Sequence, residues 1–176
     1  MRIYAPSTIH FSREQVFGTY RDHILDLVQY LPNVDHIDVV KRDEPEEGVV
    51  TFENHWYAKT SIPKVAQAFI KPENLKWRDY ARWNENNWTC DWKVETFFMS
   101  DAVICSGTNT FEELDNGHCN LTIEGDLTFN TKAVPGVPKL LAGTIKPQLE
   151  KFVVALITPN FETINRGITQ YLEAQA

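Results

Sequence analysis

A chain of 176 residues, 43 % hydrophobic and 23 % charged, has the length and composition of one globular domain and is not a largely disordered chain. Its formal net charge of −7 disfavours nucleic acid and anionic membrane surfaces as main partners, because both bind clustered Lys and Arg. No apolar run approaches the ~20 residues that cross a membrane, and three cysteines without a CxxC pair indicate free thiols. We therefore expect a single domain over residues 1–176 in the cytoplasm, with no metal or other cofactor.

The chain begins with a predicted strand and a predicted helix. Residues 3–11 have the pattern of a strand. Ser12 and Gln15 have the spacing of a capping box, which marks the start of a helix. Apolar residues at intervals of three and four then extend this helix to Leu31, where Pro32 ends it.

The middle of the chain reads as six consecutive antiparallel strands. They are predicted at residues 34–42, 49–59, 75–84, 88–99, 102–114 and 118–129, with turn signals such as Asp115-Asn116-Gly117 between them. The connection 61–74 is longer and unusually apolar, so it must bury one side. We predict either a gate over a cavity mouth or a fixed satellite core for this connection.

The last part of the chain predicts one long helix. Apolar residues recur at helical intervals from Leu140 to Leu172, and Pro147 and Pro159 should bend the helix. A sheet with one apolar face needs a cover, and this helix is the element long enough to supply it. The predicted fold class is therefore α+β, with a curved antiparallel sheet wrapped around the C-terminal helix.

This order of elements, and three short stretches, resemble the helix-grip superfamily, also called START-like or SRPBCC. Residues 9–17 resemble its first strand and helix, residues 31–34 its entry into the second strand, and residues 161–172 its terminal helix. The superfamily includes birch-pollen-allergen-like and polyketide cyclase-like proteins. The segment 44–48 has a single glycine, unlike the glycine-rich loop of the pollen-allergen branch, so the branch stays open. The resemblance implies a cavity between sheet and terminal helix that holds a lipid or another apolar molecule.

Strand alternation predicts which residues face that cavity, since successive side chains point to opposite faces. The turns then set an approximate register, in which Trp83 faces Trp88 and Phe98 faces Val103. The result is two predicted rows across the sheet, one of Asp79, Trp92, Asn109 and Ile123, the other of Trp77, Val94, Gly107 and Gly125. The paired glycines have two interpretations: a bend of the sheet or a close helix crossing, or additional cavity space.

Asp79 is the one acidic residue predicted to face inward, and burial would raise its pKa, as a general acid or base requires. It is the weak catalytic candidate of this sequence. The histidines are scattered without metal-ligand spacing, which predicts no metal site. The predicted ligand-binding residues are Asn54, Trp56, Trp77, Asp79, Trp92, Gly107, Asn109, Gly125, Leu141 and Ile145.

These features favour a non-enzymatic carrier or sensor of a hydrophobic small molecule or lipid. One alternative is an enzyme of the polyketide cyclase or aromatase kind that uses the same cavity and Asp79. Another is a protein-interaction module with a vestigial cavity. An apolar pocket favours the carrier, a second acid–base group bonded to Asp79 favours the enzyme, and a filled core favours the module.

Overall fold

The computed structural model describes residues 1–59, 67, 71, 73, 75–97, 102–129 and 142–176. Within the last range, side chains are described at 147–148, 151–155 and 157–176. The predicted gate at 61–74, apart from three single residues, therefore lies outside the described residues. Leu141 and the side chain of Ile145 lie outside them as well.

The described residues form a sheet of seven strands, two short helical segments after the first strand, and a long C-terminal helix. In chain order these elements are β1 (Arg2–Ile9), α1 (Arg13–Asp22), α2 (Ile24–Leu27), a 3₁₀ turn (Val28–Tyr30), β2 (Val34–Glu46), β3 (Val49–Ala58), β4 (Lys76–Asn84), β5 (Thr89–Thr96), β6 (Val103–Glu113), β7 (Cys119–Phe129) and α3 (Ala142–Gln175).

The strands pair in the order β1-β7-β6-β5-β4-β3-β2, and each neighbouring pair is antiparallel. Helix α3 packs on the inner face of this sheet. The Phe161 ring lies 4.9 Å from that of Trp92, and Asn165 Nδ2 donates a 3.3 Å hydrogen bond to the Ala5 carbonyl oxygen. The predicted α+β architecture, an antiparallel sheet packed against a long C-terminal helix, is confirmed. No helix within the described ranges is both long and apolar enough to cross a bilayer.

The start of the first helix is as predicted, but its length is not. The Ser12 side chain accepts a hydrogen bond from the Gln15 backbone N–H, and the Gln15 side chain accepts one from the Ser12 backbone, which completes the capping box. The predicted continuous helix to Leu31 is wrong, because His23 adopts a non-helical φ of −114° between α1 and α2. The His23 ring bonds the Asp26 carboxylate instead, with 2.9 Å between Nδ1 and Oδ2.

Beneath α1 lies a cluster of aromatic side chains that joins this helix to the sheet. The Phe17 ring makes edge contacts with Trp83, Trp88 and Phe111, at centroid distances of 5.2, 5.2 and 5.0 Å. Phe17 is 2 % exposed. The cluster fixes the position of α1 above one end of the sheet, and Tyr20 of the same helix then reaches the inner face.

The strand register differs from the prediction at two of the three central pairings. Between β6 and β7 it is as predicted, with Gly107 opposite Gly125. Between β4 and β5, Trp83 faces Cys90 and not Trp88, because Trp88 lies in the turn with a φ of +57° and pairing begins at Thr89.

A separate displacement occurs in the next pairing, where Trp92 faces Gly107 and not Asn109. Each displacement is two residues long. Since side chains alternate with a period of two, a shift of two leaves every side chain on its predicted face. The assignment of inner and outer residues therefore survives, whereas the two predicted rows do not.

Candidate ligand cavity

A cavity lies between the inner face of β3–β6, helices α1 and α2, and helix α3. Its volume is about 710 Å³ including the open mouth, of which about 60 Å³ admits the centre of a water molecule. That inner space has room for a few waters. In this conformation the cavity is narrow, so a larger ligand has to displace side chains of the wall.

The wall of the cavity is mainly aromatic. Trp56 and Trp77 stack across β3 and β4, with ring centroids 5.8 Å apart. Such a surface favours an apolar or aromatic occupant, because it offers large contact areas and few competing hydrogen bonds. The aromatic residues among the described lining residues are Tyr20, Phe52, Trp56, Trp77, Trp83, Trp92 and Phe161.

One polar cluster interrupts this wall where β3 pairs with β4. Asn54 and Asp79 are direct partners in the register, and Asn54 Nδ2 donates a 3.2 Å hydrogen bond to Asp79 Oδ2. Asn54 Oδ1 and Trp56 Nε1 are buried and have no hydrogen-bond partner within the described part of the chain. Buried polar atoms normally have partners, so these two atoms mark an incomplete site.

Burial controls the ionisation of Asp79. The side chain is half-buried, and its loss of hydration raises the carboxyl pKa to about 6. The Asn54 amide and the Trp56 indole act in the opposite direction, although the indole forms no hydrogen bond of normal geometry. The carboxyl group is thus ionised at neutral pH and protonated in mild acid.

A second pair of polar side chains is already satisfied. Trp92 Nε1 donates a buried 2.8 Å hydrogen bond to Asn109 Oδ1. The Tyr20 hydroxyl lies near Asn109, and burial raises the tyrosine pKa further above its ordinary value. This end of the cavity is therefore neutral and internally bonded, whereas the unpartnered polar atoms lie at the Asp79 end.

The paired glycines leave the space that the Trp92 indole fills. A Cβ at Gly107 would lie 2.1 Å from the Glu124 carbonyl oxygen and 2.5 Å from Trp92 Cζ2. A Cβ at Gly125 would lie 2.5 Å from the Ser106 carbonyl oxygen and 2.8 Å from Trp92 Cη2. The hypothesis that the glycines add cavity space is wrong, because the observed register sets Trp92 opposite Gly107 and the ring fills that volume.

Solved structures of other proteins share this architecture. At a TM-score of 0.69, the aromatase/cyclase ZhuI of Streptomyces sp. R1128 covers 99 % of this chain and 94 % of its own, with 12 % identity. The protein TTHA0849 of Thermus thermophilus has a TM-score of 0.66 and 17 % identity, and the match covers 100 % of this chain and 99 % of that protein. Norcoclaurine synthase of Thalictrum flavum, in complex with dopamine and hydroxybenzaldehyde, has a TM-score of 0.62 and 12 % identity. The match covers 100 % of this chain and 88 % of the synthase chain.

The chain has the helix-grip fold. Its structural neighbours are START-like, or SRPBCC, helix-grip proteins, as the sequence resemblance predicted. No protein-family model matches the sequence, and no curated protein matches it. At these identities the comparisons establish the fold, and the chemistry of the helix-grip cavity has to be argued from its own residues.

Most of the predicted ligand-binding residues meet in the helix-grip cavity. Asn54, Trp56, Trp77, Asp79, Trp92 and Asn109 line it. Gly107 and Gly125 are not among the described lining residues, because the Trp92 ring covers them. Leu141 lies outside the described residues, as does the side chain of Ile145.

The prediction missed several lining residues, among them Tyr20, Phe52 and Phe161. Each carried a signal in the sequence. Phe52 has the inward parity of its strand, and Tyr20 and Phe161 lie on the apolar stripes of the two predicted helices. The stripes identified them as core residues, but which part of the core encloses a cavity depends on packing.

The three cysteines lie on the inner face of neighbouring strands and are unbridged. Burial raises the thiol pKa of Cys105 to about 12, that of Cys119 to about 11, and that of Cys90 well above its ordinary value. Thiols in this state are poor nucleophiles and poor metal ligands. Across the described ranges, no three His, Cys, Asp or Glu side chains lie close enough together to hold a metal ion.

The raised pKa of Asp79 predicts a pH-dependent stability. Its folded value of about 6 exceeds the ordinary 3.8, so its stabilising contribution is present below about pH 4 and is lost as pH rises through about 6. Asp79→Asn removes this titration. The unfolding free energy of the variant relative to the wild type should therefore rise by about 3 kcal/mol between about pH 3.5 and pH 7.

Urea unfolding of both proteins at a series of pH values measures this difference. Asp115→Asn, in the exposed β6–β7 turn, controls for the loss of one negative charge. A difference between Asp79→Asn and the wild type that stays constant over the whole pH range would contradict the prediction.

Proposed function

We propose that this protein binds a hydrophobic small molecule in the cavity between the sheet and α3, as a carrier or sensor. The observation that carries the proposal is the aromatic wall that surrounds one incomplete polar cluster at Asn54, Trp56 and Asp79. The aromatic wall supplies affinity through burial, and the polar cluster supplies orientation. The helix-grip fold is shared with ligand-binding and cyclase proteins, which supports the same conclusion.

The contacts of the charged groups favour binding over catalysis. Asp79 is bonded to the Asn54 amide and not to a second acid–base group. Arg21, the one cationic side chain among the described lining residues, is held by Asp22, with Nη2 2.8 Å from Oδ2, and by Glu85. Asp79 is thus not coupled to a partner that could relay a proton.

A cyclase-like enzyme is the second candidate, and the pKa of Asp79 is the observation that favours it. A carboxyl group with a pKa of about 6 can both accept and return a proton near neutral pH. The aromatase/cyclase among the structural neighbours supports this alternative. Incubation with a synthetic poly-β-ketone thioester, followed by mass spectrometry, tests it. Cyclisation that is lost in Asp79→Asn would favour the enzyme, and no turnover would leave the carrier.

Two further predictions belong to this proposal, a single domain and a cytoplasmic location. The seven-stranded sheet and α3 share one core cluster, which supports a single domain over residues 1–176. The buried, unbridged thiols support a cytoplasmic location. A protein-interaction module would need no cavity, so the space beneath α3 gives that alternative no support.

Ligand binding is tested first on the wild-type protein. Native mass spectrometry of the purified protein, followed by solvent extraction, identifies any molecule that copurifies. Titration with the neutral fluorophore prodan then measures affinity, and we expect a blue-shifted, saturable emission as the probe enters the aromatic cavity. A linear, non-saturable response together with the absence of any extracted molecule would contradict the proposal.

A variant that fills the cavity localises the probe. Ala81 lines the cavity and is 7 % exposed, so Ala81→Phe should weaken prodan binding by about tenfold or more. Ala155→Phe adds the same side chain at an exposed position of α3 and should leave the affinity within about twofold. Circular dichroism checks that both variants are folded. Equal affinities would show that the probe binds elsewhere.

A further inference from the structure

We infer that the preferred occupant of the cavity is an apolar, preferably aromatic, molecule that carries one protonated primary amine, with its ammonium group against Asp79 and Asn54. This inference rests on the proposed function and specifies its ligand class. It follows from the hydrogen-bonding balance of the polar cluster, from the charges around it and from the aromatic side chains beside it.

The hydrogen-bonding balance of the cluster shows an excess of acceptors. Asp79 carries two carboxylate oxygens, one of which accepts from Asn54 Nδ2. The Asn54 side chain is 4 % exposed, and its Oδ1 has no donor within the described chain. A primary ammonium group offers three donors and no acceptor, whereas a hydroxyl group offers one donor. The ammonium group therefore matches this pair of neighbouring acceptors better than a neutral alcohol does.

The one donor without a partner does not change this balance. Trp56 Nε1 acts on the Asp79 carboxyl group and favours its ionised form. This single donor is outnumbered by the two acceptors that remain, Asp79 Oδ1 and Asn54 Oδ1. A ligand carboxylate or phosphate would bring a second negative charge next to Asp79, which is unfavourable in a cavity of low dielectric.

The surrounding charges also favour a cation. Asp79 has no ion-pair partner among the described residues, while Arg21 is already paired with Asp22 and Glu85. The other titratable groups that interact with Asp79, namely Tyr20, Cys90 and Cys105, are kept neutral by burial. An ammonium group would thus meet one uncompensated carboxylate.

Aromatic side chains next to the cluster add a second attraction. Trp56 and Trp77 lie on the same two strands as Asn54 and Asp79, and both line the cavity. Aromatic faces attract ammonium groups through their quadrupoles, most strongly for tryptophan. The same rings also pack against the apolar body of a ligand, so one molecule with both parts uses the whole wall.

Three naphthalene probes that differ in charge test the inference: naphthylethylamine, its neutral analogue naphthylethanol, and the anion naphthylacetate. At about pH 8, calorimetric titration of the wild type should give an affinity for the amine about tenfold above that for the alcohol, and the weakest binding for the acid. Asp79→Asn should bring the amine and the alcohol to within about twofold of each other. Asp115→Asn matches the loss of charge and should retain the preference.

The outcomes separate this inference from the proposed function. If the alcohol binds as tightly as the amine in the wild type, or if the preference persists in Asp79→Asn, the amine inference is wrong and the apolar-ligand proposal stands. If none of the probes binds and prodan also fails, the proposed function is wrong and the inference falls with it. The wild-type comparison needs no variant, so misfolding of Asp79→Asn would not remove the test.

Discussion

Gly107→Ala should lower the free energy of unfolding by about 3 kcal/mol or more, since an added Cβ would overlap atoms that have no room to move. It would lie 2.1 Å from the Glu124 carbonyl oxygen, which belongs to the neighbouring strand, and 2.5 Å from the Trp92 indole. The backbone oxygen is fixed by the sheet, so the overlap is removed only if the strands separate or the Trp92 ring moves away from Gly107. Urea unfolding measures the loss, and tryptophan fluorescence reports the displaced ring.

Gly18→Ala is the matched control for this substitution. Gly18 lies inside α1, and a Cβ there would meet nothing within 4 Å. Alanine favours a helix over glycine by about 0.5–1 kcal/mol, so this variant should be slightly more stable than the wild type. Changes of opposite sign in the unfolding free energy of the two variants would support the close packing of the Trp92 indole on Gly107. A Gly107→Ala protein as stable as Gly18→Ala would contradict it.

Phe17→Ala should lower the unfolding free energy by about 3–5 kcal/mol. The ring is 2 % exposed and makes edge contacts with Trp83, Trp88 and Phe111, so its removal leaves a void that these large rings cannot close. Since Phe17 also positions α1, and with it Tyr20 at the cavity, we expect prodan affinity to fall as well. Chemical unfolding and the prodan titration measure the two effects separately.

Leu25→Ala in α2 is the control for side-chain truncation near the same helix. Leu25 is 52 % exposed, so its loss should change the unfolding free energy by no more than about 0.5 kcal/mol. A comparable cost at Leu25 and Phe17 would mean that the aromatic cluster is not the anchor of α1.

Together these substitutions assign different tasks to the two sides of the inner wall. Gly107, Gly125 and Trp92 form a closed, internally bonded side, and substitutions there are measured by their effect on stability. Asn54 and Asp79 form an open side with an unsatisfied acceptor, and substitutions there are measured by their effect on ligand binding. This separation explains why the stability of Asp79→Asn relative to the wild type is expected to rise towards neutral pH, while the variant loses the preference for an amine.

Short-range patterns were sufficient for most elements of the fold and for the faces that the residues of β3–β7 occupy. The capping box at Ser12 and Gln15 and the strand alternation involve residues close in sequence, so they are visible without the fold. The continuous helix to Leu31 failed for the opposite reason. The break at His23 interrupts an apolar pattern that continues on both sides, and the pattern alone does not show it.

The contacts that make the cavity could not be read in the same way. The Asn54–Asp79 hydrogen bond joins residues 25 positions apart. The turn at Trp88 moved the β4–β5 register by two residues, and the position of the Trp92 indole depends on the separate pairing of β5 with β6. A shift of two preserves the face of every side chain but changes every neighbour across the strands. Local alternation therefore determined which residues face inward, and only the packing of distant strands against α3 decided which of them meet.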